Sequence, residues 1–523
     1  MKAFNYILPL GLLITGSTAC NKIIDLKPES NVTVENYYRN YDEVKVALTG
    51  VYNGMQKPLE TEWMLTELRS DMSKQGSPNS TSVANIELND LNTYLQNSSH
   101  TKVYDYWFYT YKNIRSANYV LRSLGVTYAN GQTMMGTGTA QMDDDQKRQL
   151  AGEALFIRAY HYYNLVRLFG GIFIITDQQT PSQLKKIARS SVPDCYKLIE
   201  ADLKAATQFL PAMNYSAQKQ EDLGRVTSWA AKSLLAKLYL QLGRKTEALA
   251  LLDDVIGNSG HALLSSYADV FSINNEVNKE IIFTVRFKAG GLGLGNFMAN
   301  TFAALNSGSA IVNGNGSGLN YPTANLEAKY IAPATGFADK RKSATIDRYN
   351  ALTYVKKFLS PVMVKNDAEN DFPVIRFSDV LLLKAEALGF TDESVGLINQ
   401  VRARAGAGTY PGTGNFSAQF YLYPDAGPEA ITPDNFIYKL LEERRIELAF
   451  ENQRLFDLYR TGKFTELMEA YYTSEYDAHY KRFKPAIPLD ELKSNLHVRP
   501  LLPIPQRELD TNNEIEIGQN DGY

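Results

Sequence analysis

The chain has 523 residues, of which 44% are hydrophobic and 21% charged, and its formal net charge at pH 7 is −3. A charge this close to neutral, with no basic block, argues against a nucleic acid as a partner. After the N-terminal segment no stretch approaches the length of apolar sequence that a membrane helix needs. The chain contains 33 tyrosines, a residue that suits both buried helix contacts and platforms for flat ligands.

The N-terminus is typical of an export signal. Lys2 precedes an apolar run over 6–14, and small residues follow it before Cys20. The apolar run is too short to cross a bilayer, so we predict a signal peptide over residues 1–19. A cysteine directly after small residues is the arrangement at which bacterial lipoproteins are cleaved and acylated. Cys20 is therefore the predicted lipid attachment site, and the alternative is an ordinary signal peptide with a chance cysteine.

Helical periodicity dominates the rest of the chain. A helix over 145–169 begins after a run of aspartates that can cap it, and a second pattern covers 191–209. Two further helix pairs, over 229–256 and 377–404, have the spacing of the tetratricopeptide repeat. Helix pairs of this kind must stack to bury their apolar faces. We predict a mainly α fold: a superhelical scaffold of tetratricopeptide-like helix pairs with long irregular loops and small β-hairpins.

Residues 442–463 are predicted to form one long helix that carries an apolar stripe and a ladder of charges. The charges recur three or four residues apart: Arg444, Glu447, Glu451, Arg454 and Asp457. Residues at this spacing share one helical face. The usual interpretation is a solvated, salt-bridged face, but the interleaved aromatic residues indicate partial burial. A partly buried ion-pair network would fix how neighbouring helices dock.

Long irregular segments separate the helical blocks. Residues 72–100 are rich in Ser, Asn, Thr and Gly, and residues 257–345 contain glycine-rich runs and short β-like stretches. Long ordered loops in a compact domain are usually functional. We therefore place two ligand-face insertions, at about 60–100 and 257–345, within a single domain over 20–523. Near the C-terminus, the alternating prolines of 502–505 forbid a helix and predict an extended strap over the surface.

Several motifs resemble those of the SusD/RagB family. Residues 443–460 are similar to its helix ERR-x-E-L-A-F-E-x-x-R-x-F-D-L-x-R, and residues 158–170, 374–380 and 502–523 resemble three further family motifs. The members are nutrient-capturing surface lipoproteins of Bacteroidetes. The resemblance implies a SusD-like fold on the outer membrane, facing the cell exterior. It also implies that the chain delivers a glycan to a SusC-like TonB-dependent transporter, over which it would sit as a hinged lid.

No arrangement of residues typical of catalysis stands out. The chain has no P-loop, no G-x-S-x-G elbow and no H-E-x-x-H, and its five histidines are isolated. We therefore predict no catalytic residue, no cofactor and no metal, although the Gly-Asn runs could hold a structural calcium. A glycoside hydrolase remains a minor alternative, since its carboxylate pair would have to come from clusters with structural roles. His161 and Cys195 are predicted to be core residues.

Binding is the remaining interpretation. A sugar is held by an aromatic ring under its C–H face and by planar polar groups around its hydroxyls. The candidates in the first insertion are Trp63, Arg69, Asp71 and Tyr94, and those in the second are Asn296, Phe297, Asn320, Tyr321 and Tyr330. The alternative for each is packing of the loop. Two other hypotheses stay open: a peptide receptor, as in the RagB branch, and a plain repeat scaffold for protein partners.

Overall fold

The structure is a computed structural model of the chain. It describes residues 37–76, 80–82, 85–330, 339–406, 408–410, 414–416, 422–423, 425–427, 430–512 and 514–523, with backbone only for 406, 408–410 and 414–416. The predicted signal peptide 1–19 and lipid attachment site Cys20 lie outside these residues. Residues 38–523 form one compact unit. No helix in the described part of the chain is long and apolar enough to span a membrane.

Helices make up most of the regular structure. In chain order they are Tyr41–Asn53 (α1), Gln56–Thr66 (α2), Ile86–Asn92 (α3), Thr101–Ser123 (α4), Asp144–Phe169 (α5), Pro181–Leu184 (α6), Val192–Phe209 (α7), Ser228–Gln241 (α8), Lys245–Asn258 (α9), Met298–Phe302 (α10), Ala324–Lys329 (α11), Arg341–Thr345 (α12), Phe377–Leu388 (α13), Asp392–Gly406 (α14), Phe436–Glu447 (α15), Arg454–Arg460 (α16), Phe464–Glu475 (α17), Leu489–Val498 (α18) and Gln506–Thr511 (α19). The mainly α fold is confirmed.

The strands are short and pair in twos. They are Ser73–Lys74 (β1), Val126–Ala129 (β2), Gln132–Met135 (β3), Ile281–Val285 (β4), Tyr321–Pro322 (β5), Ile346–Tyr349 (β6), Leu352–Val355 (β7), Phe372–Arg376 (β8), Gly408–Tyr410 (β9) and Gly414–Phe416 (β10). Three pairs are hairpins between consecutive strands, β2–β3, β6–β7 and β9–β10. The other two, β1–β5 and β4–β8, join segments far apart in the sequence, and all five pairs are antiparallel.

The helices pack in the order that the periodicity predicts. Helix α4 lies against α5, α5 against α7, α7 against α8 and α8 against α9, and α9 packs on α13, which pairs with α14. The predicted helix pairs are thus confirmed as a continuous stack, in which each pair covers the apolar face of its neighbour.

Helix α5 is the central element of this stack. Its N-cap Asp143 accepts a hydrogen bond from the backbone of Gln146 at 2.8 Å, and the Gln146 side chain accepts one in return, forming a capping box. The helix ends at Gly170, whose φ of 71° is disfavoured for other residues. Within it His161 is buried and held by the Asn113 amide at 2.9 Å, and burial lowers its pKa to about 3. Both His161 and the buried free Cys195 are core residues, as predicted.

The prediction of one helix over residues 442–463 is wrong. Helix α15 ends at Glu447, the backbone turns through left-handed conformations at Phe450 (φ 63°) and Asn452 (φ 59°), and α16 begins at Arg454. The turn is fixed because the Asn452 N–H donates to the Glu67 carboxylate at 2.6 Å. It lets Arg444 bond Asp457, which lies 13 positions further on, at 2.8 Å. A straight helix would not bring these two side chains together.

The charged side chains of this region are almost fully buried, whereas the sequence predicted only partial burial. Exposure is 6% or less for each of Arg444, Glu447, Glu451, Arg454 and Asp457.

The predicted C-terminal strap is also buried. Residues 502–505 lie outside regular structure, but they are buried, and the Leu502 N–H donates to the Leu168 carbonyl at 2.8 Å. The expectation of a surface strap is therefore corrected, because the two apolar side chains and two prolines of this segment are buried against the end of α5.

Candidate functional site

The candidates of the first insertion are buried. Trp63 lies within α2, edge-on to Phe302 with ring centroids 5.0 Å apart. The Arg69 guanidinium stands 4.7 Å from the centre of the Tyr94 ring and donates to the Pro500 carbonyl at 2.8 Å. In return the Tyr94 hydroxyl donates to the Arg69 carbonyl. These side chains hold the insertion and the C-terminal segment together.

Asp71 is an anchor for the charged helices. Its carboxylate bonds Arg454 at 2.8 Å and lies 3.4 Å from Arg445. Burial alone would raise the pKa of Asp71, but the two guanidinium groups outweigh it and lower the pKa to about 2. The carboxylate is therefore ionised and fully engaged. The expectation that Asp71, Arg69, Tyr94 and Trp63 face a ligand is corrected, because each side chain is buried inside the fold.

The second insertion shows the same pattern with two exceptions. Asn296 donates to the Asn370 carbonyl at 2.7 Å, and the Tyr330 hydroxyl donates to the Ile446 carbonyl at 3.2 Å. Both side chains are buried, as is Tyr321, so none of the three presents a ring or amide to solvent and the expectation for them is corrected. Phe297 is partly exposed and stays a prediction. Asn320 is buried as well, and both polar atoms of its amide, like the Tyr321 hydroxyl, have no hydrogen-bond partner among the described residues.

The two insertions meet in the short ribbon β1–β5. Ser73 pairs with Pro322 and Lys74 with Tyr321, so Gln75 follows the ladder on one strand where Asn320 precedes it on the other. Side chains directly opposed in an antiparallel pair share a face, and alternate residues of one strand do so as well. Ser73, Gln75 and Asn320 therefore lie on one face of the ribbon. We call these three residues the amide cluster.

The amide cluster is buried and short of hydrogen-bond partners. Ser73 is 0% exposed, and Gln75 and Asn320 are each 1% exposed. The Ser73 hydroxyl, the Gln75 carbonyl oxygen and both polar atoms of the Asn320 amide have no hydrogen-bond partner among the residues that the structure describes. An unpaired buried polar group costs about 1–3 kcal/mol, so native proteins satisfy nearly all of them with protein, water or ligand atoms. Several such atoms on one face point to an external partner.

Asn320 is among the candidates proposed from the sequence, whereas Ser73 and Gln75 are not. The signal available was the polar composition of residues 72–100, which does not distinguish an exposed side chain from a paired one. The register that places Gln75 beside Asn320 depends on a contact between segments more than 240 residues apart, as the pairing of Lys74 with Tyr321 shows. No local pattern encodes that register.

A group of buried tyrosines is linked to the ribbon β1–β5 through Asn92. The Gln75 N–H donates to the Asn92 side chain at 3.2 Å, and the Tyr480 hydroxyl donates to the same oxygen at 3.1 Å. Tyr471 and Tyr480 share a hydrogen bond of 2.8 Å between their hydroxyls, and Tyr472 donates to the Asn92 carbonyl at 2.7 Å. Each ring is buried. These tyrosines thus stabilise the site and are not stacking platforms in this structure.

The cavities found inside the scaffold are too small for a sugar. One of about 20 Å³ is lined by Glu62, Asn164 and Asn452, and a second of about 20 Å³ lies beside Asp371. A volume of this size holds about one water molecule. In the described part of the chain, no group of three or more His, Cys, Asp or Glu is placed to hold a metal ion.

Two family models match separate parts of the chain. A family model named SusD-like, with the description "Starch-binding associating with outer membrane", matches residues 22–240, and the model of the SusD family matches residues 342–523. The chain belongs to the SusD/RagB family. The sequence motifs at 443–460 and at the C-terminus are therefore motifs of this family.

Individual relatives extend this match over the full length. SusD-like protein P25 of Formosa agariphila is 26% identical over an alignment of 582 residues that covers 100% of both chains. A SusD-like protein of Bacteroides ovatus is 31% identical, over 27% of each chain. Among solved structures, a laminarin-binding SusD-like protein aligns with a TM-score of 0.70 and 25% identity over 93% of this chain and 100% of its own. A SusD superfamily protein of Bacteroides vulgatus, 20% identical, has a TM-score of 0.71 over 93% of this chain and 100% of its own, which supports the fold.

Proposed function

We propose that this SusD-like protein binds an oligosaccharide and that the amide cluster contacts its hydroxyl groups. The observation that carries this proposal is the set of unpaired polar atoms on Ser73, Gln75 and Asn320, at the point where the two insertions meet. The similarity to a laminarin-binding SusD-like protein over 93% of the chain supports a glycan as the ligand class.

The chemistry of the cluster suits a polyol. A side-chain amide offers donors and an acceptor in one plane, so Asn320 can accept from one hydroxyl group and donate to another. Because the three side chains of the cluster are buried, a sugar reaches them only after the residues that cover them move apart. We therefore expect association well below the diffusion limit, with modest affinity, since part of the contact energy is spent on ordering and desolvation.

The test is binding of the full chain, purified in detergent, to a panel of glycans and peptides by calorimetry. Asn320→Ala and Gln75→Ala should each weaken glycan binding about tenfold or more, which corresponds to about 1.4 kcal/mol. Asn258→Ala is the matched control: this amide lies on the distant helix α9 and already bonds Asp254 at 2.7 Å. Equal affinity of all three variants and the parent chain would exclude the cluster as the binding site.

We further propose that Cys20 carries a lipid that anchors the protein on the outer face of the outer membrane. There it would capture polysaccharide fragments and deliver them to a SusC-like TonB-dependent transporter. The family description "associating with outer membrane" supports the location. In this arrangement the transporter supplies the energy, and this chain supplies affinity and closure.

Cell fractionation tests the anchor. Cys20→Ala should move the protein from the membrane fraction to the soluble fraction, since the lipid would have no attachment site. Cys195→Ala is the matched control, because Cys195 is buried in α7 and has no access to a lipid. Protease treatment of intact cells tests the orientation, and co-purification with a β-barrel tests the partner. Retention of Cys20→Ala in the membrane would contradict the anchor.

A further inference from the structure

We propose that the glycan accepted at the amide cluster is uncharged, so that the site discriminates against uronic-acid and sulfated sugars. This inference rests on the proposed function and refines it. It follows from how the structure treats the charges around the ribbon β1–β5.

The cation of the ribbon is neutralised. Lys74 lies on β1 between Ser73 and Gln75, and its ammonium bonds the Glu475 carboxylate at 2.7 Å. Lys74 is 11% and Glu475 is 4% exposed in the side chain, so water screens this pair little. The second oxygen of Glu475 accepts the backbone N–H of Ala324 at 2.9 Å. The pair therefore has its charge compensated and its geometry fixed by α11.

The charges on the approach to the ribbon are compensated in the same way. Asp71, two residues before Ser73, is held between Arg445 and Arg454. Arg445 also donates to the Asp71 carbonyl and, at 2.7 Å, to the Asn325 side chain. Neither guanidinium group is thus left to meet an anionic ligand.

The imidazole beside the ribbon is neutral. A side chain at Gly76 would come within 3.7 Å of the His479 ring and 3.2 Å of Phe483, so both rings lie against the end of β1. Burial lowers the pKa of His479 to about 3, and its Nε2 has no partner in the described part of the chain. A neutral imidazole and an apolar ring thus lie against the end of β1, and the Arg482 charge, which also lowers the pKa of His479, is exposed to solvent.

An anionic sugar would meet an energetic barrier in these surroundings. Transfer of a carboxylate or sulfate from water to a buried site is unfavourable unless a cation there is free to pair with it. The amide groups of Gln75 and Asn320 can bond hydroxyl groups without that cost. The site therefore favours neutral sugars by excluding charge rather than by adding contacts.

The decisive experiment compares neutral and anionic polysaccharides on the full chain. The probes are laminarin and starch as neutral glucans, and polygalacturonate and a sulfated polysaccharide as anions. We expect at least one neutral probe to bind, with both anions weaker by about tenfold or more. Neutral binding should also be insensitive to salt between about 50 and 500 mM, because no ion pair forms with the ligand.

A variant that leaves the Lys74 charge unpaired provides a second test. Glu475→Gln keeps an acceptor for the Ala324 N–H but leaves the Lys74 charge uncompensated beside the site. This variant should bind the anionic probes more tightly than the parent chain does, and salt should weaken that new binding. Glu247→Gln is the matched control: it removes a carboxylate from an ion pair with Arg244 on the distant helix α9.

Each outcome separates this inference from the proposed function. Anionic probes that bind the parent chain as tightly as neutral ones would overturn the neutral preference and leave glycan binding standing. Failure of every glycan, with the chain folded by circular dichroism, would overturn both. A Glu475→Gln variant that gains no anion binding would also count against the inference, since the Lys74–Glu475 pair would then not set the charge of the site.

Discussion

Two of the regions in which the chain buries polar groups differ in how completely those groups are hydrogen-bonded. In the first, Arg376 donates to the side chains of Glu280, Glu447, Glu451 and Ser378 at 2.7–3.0 Å, and it is 1% exposed. In the second, the amide cluster is equally buried but leaves four polar atoms unpaired. Equal burial therefore accompanies an arginine with four side-chain partners in one place and unused bonding capacity in the other. The first arrangement fixes the scaffold, and the second is suited to a ligand.

In the charged region, burial and the paired guanidinium groups shift the pKa values of the carboxylates in opposite directions. Burial alone would raise the pKa of Asp457, but Arg444 and Arg460 outweigh it and hold the pKa well below its usual range. In the same way, the nearby guanidinium groups outweigh burial at Asp71 and lower its pKa to about 2. Such networks often add little net stability compared with apolar packing, but removing one member leaves a buried charge uncompensated. The network therefore specifies how helices α13, α15 and α16 meet.

The largest expected effect comes from breaking the charged region. Arg376→Met should lower the free energy of unfolding by about 3–5 kcal/mol, because three buried carboxylates lose their shared partner. Urea unfolding followed by circular dichroism measures it. The control is Arg348→Met, which removes an exposed partner of Glu327 and should cost less than about 1 kcal/mol. Equal losses in both variants would contradict the role of burial.

The Lys74–Glu475 pair at the ribbon β1–β5 gives the next effect. Lys74→Met should cost about 3 kcal/mol, because Glu475 is left charged and buried. The double variant Lys74→Met, Glu475→Met should recover most of this loss, since two apolar side chains can replace a buried pair. A double-mutant cycle in denaturant measures the coupling. A double variant that is less stable than either single one would show that the pair adds net stability.

A buried carboxylate without a cationic partner gives a pH-dependent effect. Burial raises the pKa of Glu67 to about 8, only partly offset by the Asn452 N–H. A carboxyl group whose pKa rises on folding contributes its full stability below about pH 4 and loses it as the pH rises through about 8. Glu67→Gln should therefore flatten the fall in stability between about pH 5 and pH 9, by roughly 2 kcal/mol at the upper end. Parallel stability curves for Glu67→Gln and the parent chain would exclude this residue as the cause.

Much of the scaffold could be predicted from local sequence. Helix α5 and the pairs α8–α9 and α13–α14 follow from apolar spacing and end signals, which depend only on nearby residues. The break after Glu447 could not, because the left-handed turn at Asn452 is fixed by Glu67, a residue remote in sequence. The sequence therefore indicates which segments are helical, but not where a tertiary contact interrupts one.

The sequence indicated where the proposed site would lie, but not most of its residues. The two insertions do meet, in the ribbon β1–β5, yet most of the aromatic and charged candidates within them are packed inside. Composition indicates that Trp63 or Tyr330 can bind a sugar, but exposure is decided by what packs against them. Asn320 was a candidate by type, and its unpaired amide becomes visible only once its neighbours are in place.

The smallest expected effect on stability separates the two regions most sharply. Asn320→Leu removes an amide that has no hydrogen-bond partner in the part of the chain that the structure describes, so no bond seen there is lost and unpaired polar atoms are removed from the interior. We expect the free energy of unfolding to change by less than about 1 kcal/mol, or to rise, while glycan binding is lost. Urea unfolding and calorimetry on the same sample measure both quantities. A loss of several kcal/mol would mean that the Asn320 amide is bonded in the folded chain, and the amide cluster would then belong with the scaffold rather than with the ligand.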